Sequence, residues 1–315
     1  MRTSSVAHYI RIVQDLAATR EGPIWLRGHS SAAFRLQPSA LRETIPLASP
    51  LGFPLCGNEI QIASGGTETG LSPERMLDDF KRRALPFIDF HPRNDFEWMF
   101  LMQHHGAPTR LLDWTSNALV ALYFAVTDVK YDPDLEANED TDTEPDPELD
   151  PNAAAVFVMN PREINKAMHV NISEPVDIAA NYDYWRAYSR PMSIYTEDFD
   201  TYGPVCIEAP QISPRIRAQS GLFTLHGSNL YPIDYYTVAR PLLTKILISL
   251  KDAVQIRSQL YNLGITSSFI FPGLDGVAKE VRENEVRVFA WERKRYLAEL
   301  DVESSEGPRR KRKPR

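Results

Sequence analysis

The sequence predicts an α+β domain with a mixed or mainly antiparallel central sheet flanked by helices. The 315-residue chain is 43% hydrophobic and 24% charged, which is typical of a globular protein with a core. Short strand-like runs alternate irregularly with amphipathic helices, without the regular spacing of a doubly wound fold or an eight-stranded barrel. The longest continuous apolar run, Ala118 to Val126, is far too short to span a bilayer.

The chain begins with a predicted helix. Apolar residues recur at steps of four and three from Val6 to Leu16, and a serine before them can act as an N-cap. Residues 21–23, Glu-Gly-Pro, end this helix. Residues 24–28 are rich in β-favouring side chains and predict a short strand, while the proline-rich residues 44–72 predict a loop.

The middle of the chain predicts three helices and one extended segment. Residues 73–83 and 95–105 place apolar side chains on one helical face, and Gly106 ends the second helix. Residues 109–115 form an extended segment that leads into a helix at 118–126, for which Asn117 or Ser116 can act as the N-cap. Because this last helix is apolar on every side, we expect it to be buried.

The second half of the chain alternates extended segments with helices. The predicted extended segments are 153–159, 205–208, 221–226 and 243–250, and the predicted helices are 251–263 and 286–300. This irregular order supports the α+β class.

Two segments of opposite charge lie outside the predicted core, although the net charge is −7. Residues 132–151 hold ten acidic side chains and no basic one, which predicts a disordered insertion. Residues 308–315 hold six basic side chains in eight. We therefore expect an N-terminal helix over 1–20, one domain over 21–300 interrupted by the acidic insertion, and a disordered basic tail over 301–315.

The composition also argues against several classes of protein. Two cysteines, Cys56 and Cys206, cannot form a disulfide framework or a cysteine-rich zinc site. The N-terminal residues lack the continuous apolar stretch of a signal peptide. We expect a cytoplasmic protein with no membrane partner.

Residues 103–116, QHHGAPTRLLDWTS, form the densest cluster of polar and ionisable side chains. The cluster lies between two apolar helices, so its polar groups need partners within the protein or on a ligand. In a purely structural network, Asp113 caps the following helix, Arg110 pairs with Asp113, and the histidines bond to backbone carbonyls. A ligand site is the alternative.

Several kinds of site do not fit this cluster. His104 and His105 are adjacent and point in different directions, and Asp113 adds one carboxylate, so we expect no metal. The chain contains no G-x-S-x-G elbow and no glycine-rich phosphate-binding loop. A nuclease that uses His105 and Asp113 remains an alternative.

Several motifs resemble the FRG domain family, which is named after a Phe-Arg-Gly motif. They are WLRGHS at 25–30, LQPSALR at 36–42, the string at 101–125 that contains QHHGAPTRLLDWTS, and segments at 216–224 and 271–276. Leu26 replaces the phenylalanine of the family motif. The resemblance covers about residues 20–280, but the family name implies no activity.

The sequence is more distantly similar to the ADP-ribosyltransferases. Those enzymes carry an arginine or histidine on their first strand, and a later strand ends in Ser or Thr before a helix with an A-x-x-Y/F-A pattern. Leu26-Arg27-Gly28 is similar to the first feature, and residues 113–116 followed by 121–125 are similar to the second. The resemblance implies an ADP-ribosyltransferase-like fold and an NAD-dependent ADP-ribosyltransferase or other NAD-consuming enzyme, such as a defence or toxin-type effector.

The resemblance also implies roles for individual residues. Arg27, Ser116 and Gln219 would be catalytic, Arg27, Gly28, Thr115 and Tyr123 would bind NAD, and His104, His105, Arg110 and Asp113 would support them. Gln219 stands where the superfamily has a glutamate that grips the ribose, and Glu208, Glu280 and Glu285 are alternative carboxylates. A macromolecule, protein or nucleic acid, would accept the ADP-ribose.

A binding module without catalytic activity is the alternative from another class. In that interpretation residues 103–116 are structural, and the basic tail at 308–315 contacts nucleic acid through its phosphates. Convergence of Arg27, Ser116 and Gln219 on one cleft would favour the enzyme.

Overall fold

The computed structural model describes residues 1–42, 71–129, 150, 152–178, 182–190, 203–208, 213–227 and 231–305. They belong to two units, of which the first ends at Ile265 and the second begins at Thr266. The predicted acidic insertion apart from Asp150, and the basic tail from residue 306, lie outside the described residues. Among the described helices, none has the length and apolar character needed to cross a bilayer.

The first unit contains a seven-stranded sheet. Its strands are β1 (Trp25–His29), β2 (Leu111–Thr115), β3 (Ala153–Met159), β4 (Val176–Asp177), β5 (Val205–Glu208), β6 (Gly221–Leu225) and β7 (Thr244–Ser249). The spatial order is β4-β5-β6-β2-β1-β3-β7. Only β4 and β5 pair in parallel within the described sheet, so the predicted α+β class with a mixed, mainly antiparallel sheet is confirmed.

Most helices of the first unit begin directly after a residue whose side chain caps them. They are α1 (Val6–Thr19), α2 (Ser39–Arg42), α3 (Pro73–Ala84), α4 (Asp95–His104), α5 (Ala118–Val126), α6 (Pro161–Met168), α7 (Tyr182–Trp185), α8 (Pro214–Ala218) and α9 (Leu250–Asn262). The side chains of Ser5, Ser72, Asn94 and Asn117 accept backbone N–H bonds in the first turns of α1, α3, α4 and α5. Asn117, not Asp113, therefore caps α5.

Apolar side chains cover both faces of the sheet. Because neighbouring residues of a strand point to opposite faces, Leu111 joins a cluster that contains Phe100 and Phe223, whereas Leu112 joins one that contains Trp25 and Phe157. The α5 helix packs on β1, β2 and β3, and most of its side chains are buried, as its apolar composition predicts. This helix forms one wall of the cleft described below.

The second unit consists of α10 (Ser267–Ile270) and α11 (Leu274–Ser305). Ser267 Oγ donates to Glu283 at 2.8 Å, and the Ser268 backbone N–H donates to Glu280 at 3.0 Å, which joins the two helices. The helix predicted over 286–300 begins at Leu274, twelve residues earlier than expected. Leu274, Val277, Ala278 and Val281 recur at helical spacing, a signal that the sequence prediction did not use.

Candidate functional site

A cleft of about 260 Å³ opens where β1 and β2 separate. The two strands form a single ladder pair, Leu26 with Thr115, whereas five pairs join β1 to β3 and five join β2 to β6. Beyond this single pair the two strands diverge, and side chains line the opening between them. The lining includes Arg27, Gly28, Gln103, Asp113, Trp114, Thr115, Phe124, Arg215 and Gln219.

The structure brings together four of the residues that sequence reasoning proposed as catalytic or NAD-binding. Arg27 and Gln219, which lie almost two hundred positions apart in the chain, both line the cleft, together with Gly28 and Thr115. Two independent parts of the predicted site, on β1 and after α8, thus meet at one opening.

Two other proposed residues do not line the cleft. Ser116 is exposed after the end of β2, and its backbone N–H donates to the Ser220 carbonyl at 3.3 Å. Tyr123 is 5% exposed and lies outside the lining, whereas the next residue, Phe124, belongs to it. Phe124 is therefore the aromatic residue of α5 that a ligand in the cleft can contact.

Arg27 bridges the two strands at the point where their ladder ends. Its Nε donates to His29 Nε2 at 2.8 Å, and its Nη1 donates to the Asp113 backbone carbonyl at 2.6 Å. The side chain is only 14% exposed, and Asp113 Oδ2 lies 3.6 Å from Nη1. Burial lowers the pKa of Arg27 to about 10, against the opposing effect of Asp113, so the guanidinium stays charged at neutral pH.

His29 belongs to this cluster, although sequence reasoning did not select it. Its Nδ1 lies 3.3 Å from the Phe34 carbonyl and its Nε2 accepts from Arg27, so the neutral Nδ1-protonated form satisfies both contacts. Burial, and then the charge of Arg27, hold the pKa of His29 well below its usual value. Residues two apart on a strand share a face, so the spacing of Arg27 and His29 was the available signal.

Thr115 holds the cleft wall in place. Its hydroxyl donates to the Gln219 carbonyl at 2.7 Å and accepts the Asn117 N–H at 2.9 Å. One side chain therefore ties the turn after α8 to the start of α5. The contact explains how Gln219 is positioned beside β2.

Cationic groups outnumber carboxylates along the cleft. Arg27 and Arg215 line it, and Asp113 is the single carboxylate among its described lining residues. The Asp113 carboxylate is 53% exposed and accepts both of its 3.0 Å bonds from Gln103 Nε2. Arg215 donates to the His104 carbonyl at 3.0 Å, and burial lowers its pKa. The arrangement favours an anionic ligand.

The other proposed supporting residues take different positions. His104 lies outside the lining; its buried Nδ1 has no hydrogen-bond partner among the described residues, and burial lowers its pKa. His105 is exposed and also outside the lining. Of these supporting residues, Asp113 alone reaches the described lining.

Arg110 belongs to a buried network behind the cleft. Its side chain is fully buried and donates to Glu74 Oε1 and to the Gly227 carbonyl, each at 2.8 Å. The pair expected between Arg110 and Asp113 is therefore absent, because the Arg110 guanidinium is buried against Glu74 whereas the Asp113 carboxylate is 53% exposed. Arg110 supports the fold, not the cleft lining.

A second buried network fixes the Trp114 ring in the core beside the cleft. Trp114 Nε1 donates to Thr224 Oγ1 at 3.2 Å, and this hydroxyl lies 3.4 Å from His226 Nε2. Burial, and then the nearby charge of Arg110, lower the pKa of His226 to about 3. His226 is therefore neutral at physiological pH.

The low pKa of His226 predicts a loss of stability in acid. Its pKa in the unfolded chain is about 6.5, so the unfolded state gains a proton below that pH whereas the folded state does so only near pH 3. We expect the free energy of unfolding in urea to fall by about 1.4 kcal/mol per pH unit from this residue between these values. His226→Gln should make the decline shallower, and an unchanged slope would contradict the assignment.

The alternative carboxylates lie elsewhere. Glu208 is exposed at the end of β5 and outside the cleft lining, and Glu280 and Glu285 belong to the second unit. In the part of the chain that the structure describes, no three His, Cys, Asp or Glu side chains form a group that could hold a metal ion. The expected absence of metal stays a prediction.

One comparison with known proteins identifies a family. Residues 22–133, which include β1, β2 and α5, match the model of the FRG domain. The FRG resemblance of the sequence is thereby confirmed. No curated protein and no solved structure matches the chain.

Proposed function

We propose that this chain, which carries an FRG domain in residues 22–133, is an NAD-consuming enzyme of the ADP-ribosyltransferase type. The observation that carries the proposal is the meeting of Arg27, Arg215, Phe124 and Gln219 at the cleft between β1 and β2. Guanidinium groups, an aromatic ring and an amide are the groups that phosphates, a nicotinamide ring and ribose hydroxyls require.

The size of the cleft limits which part of NAD it can enclose. Its volume of about 260 Å³ is near the lower end of ordinary ligand pockets, which hold roughly 300–1,000 Å³. The nicotinamide riboside half would enter, and the diphosphate would meet the arginines. Arg27 has five N–H donors and, among the described residues, donates two of them to His29 and Asp113, so it can also bind a phosphate oxygen.

The chemistry of such a site needs a carboxylate, and Asp113 supplies one. The bond between nicotinamide nitrogen and ribose C1 breaks, its electron pair leaves with nicotinamide, and an oxocarbenium-like cation forms. The half-exposed Asp113 carboxylate would stabilise this cation, a role that the Gln219 amide cannot perform. Gln219 would hold a ribose hydroxyl. A nucleophilic O–H or N–H group of the acceptor macromolecule would then bond to C1 and release its proton to solvent.

Two arginines on α8 provide a matched test. Arg215 lines the cleft, whereas Arg217, two residues later, is exposed and outside the lining. We expect Arg215→Ala to lower nicotinamide release from NAD by about tenfold to a hundredfold, because a charge-assisted bond to phosphate is lost. Arg217→Ala should leave the rate unchanged. Release is measured with purified protein, with and without cell extract as the source of acceptor.

The carboxylate and the amide are tested separately in the same assay. Asp113→Asn should lower the turnover rate more than the affinity for NAD, while Gln219→Glu should preserve or raise turnover and Gln219→Ala should suppress it. If the wild type neither binds nor cleaves NAD under either condition, the enzyme proposal is wrong and a catalytically silent FRG binding module takes its place.

A further inference from the structure

Gln103, in the last turn of α4, connects a buried hydroxyl to the carboxylate at the cleft. Its Nε2 lies 3.0 Å from each carboxylate oxygen of Asp113, and its Oε1 accepts a hydrogen bond from the Thr109 hydroxyl. Thr109 is 2% exposed, and its hydroxyl in turn accepts the Leu111 backbone N–H at 3.1 Å. A backbone group, a buried hydroxyl and an amide therefore form one chain of hydrogen bonds that ends at Asp113.

This chain of hydrogen bonds has one consistent direction. The Thr109 hydroxyl has a single proton, and because the hydroxyl accepts from Leu111 it can donate that proton to Gln103 Oε1. The amide then faces Asp113 with its N–H groups, whereas a flipped amide would place a carbonyl oxygen against the carboxylate. The orientation of the Gln103 amide is therefore fixed from its buried side.

Arg27 competes with Gln103 for the same carboxylate. Its Nη1 lies 3.6 Å from Asp113 Oδ2, which is longer than a hydrogen bond, and it donates to the Asp113 backbone carbonyl instead. Burial lowers the pKa of Arg42 and of Arg215, and the charge of Asp113 opposes this effect in both. Asp113 thus lies within electrostatic range of three guanidinium groups, of which Arg27 is in contact with it.

We propose that Gln103 is a positioning residue that holds the Asp113 carboxylate away from Arg27 and so keeps the Arg27 guanidinium available to a diphosphate. Without Gln103, the two side chains would close into a bidentate pair, the strongest geometry between these groups. That pair would occupy the N–H groups that an anion needs, and it would turn the carboxylate away from the ribose. The effect on the ribose rests on the proposed function, whereas the effect on anion binding does not.

Inorganic pyrophosphate is the probe for this proposal, because it carries the anionic group of the dinucleotide without the ribose. Isothermal titration calorimetry of the full chain should detect its binding to the wild type. Gln103→Met should weaken binding by about tenfold, because charge-assisted bonds from Arg27 are lost to Asp113. Gln255→Met is the matched control and should bind like the wild type, since Gln255 is exposed on α9 and outside the cleft lining.

A second background separates positioning from direct contact. In Asp113→Asn the neutral amide cannot neutralise Arg27, so adding Gln103→Met should change pyrophosphate affinity by less than about twofold. A Gln103 that bound the anion itself, or only supported the fold, would weaken binding equally in both backgrounds. Equal losses, no loss on Gln103→Met, or no pyrophosphate binding by the wild type would each overturn the proposal. The expected binding pattern without NAD cleavage would instead refute the enzyme proposal and leave this inference standing.

Discussion

Replacing Gly28 by alanine is expected to prevent the first unit from folding stably. A Cβ at this position would lie 2.0 Å from the Ala121 carbonyl oxygen and 2.5 Å from the Ala125 nitrogen of α5. These are backbone atoms of a buried helix, so relief requires α5 to move away from β1. We expect a loss of more than about 4 kcal/mol in urea unfolding, or insoluble protein.

Gly264→Ala is the control for this substitution. An added Cβ at that residue meets nothing within 4 Å, although its φ of +79° remains unfavourable for alanine. The expected loss is therefore only about 1–2 kcal/mol. If Gly28→Ala kept its stability and lost only a ligand, then Gly28 would have the binding role that the family resemblance implies. In the structure, Gly28 lies where β1 and α5 approach each other too closely for a side chain.

Replacing Arg110 by methionine should give the second large loss. The substitution leaves the 11% exposed Glu74 carboxylate without its partner and removes a bond to the Gly227 carbonyl. Breaking one side of a buried ion pair typically reduces stability by about 3–5 kcal/mol. The free energy of unfolding measures the effect, and Arg110→Met combined with Glu74→Met should recover much of it.

An exposed ion pair serves as the comparison. Arg82 pairs with Asp79 at 2.8 Å, and the two side chains are 76% and 42% exposed, so Arg82→Met should change stability little. If Arg110→Met instead reduced nicotinamide release without altering stability, Arg110 would act at the site as the sequence suggested. The burial of its guanidinium argues for the structural role.

Helices and strands that have a clear apolar pattern and a capping or terminating residue could be predicted from the sequence. The helix at 118–126 was assigned to the residue, because nine apolar positions follow a capping asparagine. The strand expected at 24–28 is observed one residue later. The α6 helix was missed because few of its side chains are buried, and β4 was missed because two residues carry no pattern.

Those residues of the candidate site that belong to family motifs could be predicted from the sequence. Arg27 and Gln219 were chosen by resemblance, and they meet at the cleft. Arg215 was overlooked although it precedes Gln219 by one helical turn and so shares its side of α8. The partner of Arg110 could not be found, because Glu74 is 36 residues away and no local pattern relates the two.

The single ladder pair between β1 and β2 leaves a sheet edge in the middle of the molecule. Backbone groups at such an edge can pair with any extended chain, and proteins guard outer edges with charged side chains, prolines or bulges. At this inner edge the Arg27 guanidinium donates a hydrogen bond to the Asp113 backbone carbonyl, so that carbonyl already has a partner. Arg27 therefore also protects the opening against foreign strands, so a truncated Arg27 would expose the protein to strand-mediated aggregation.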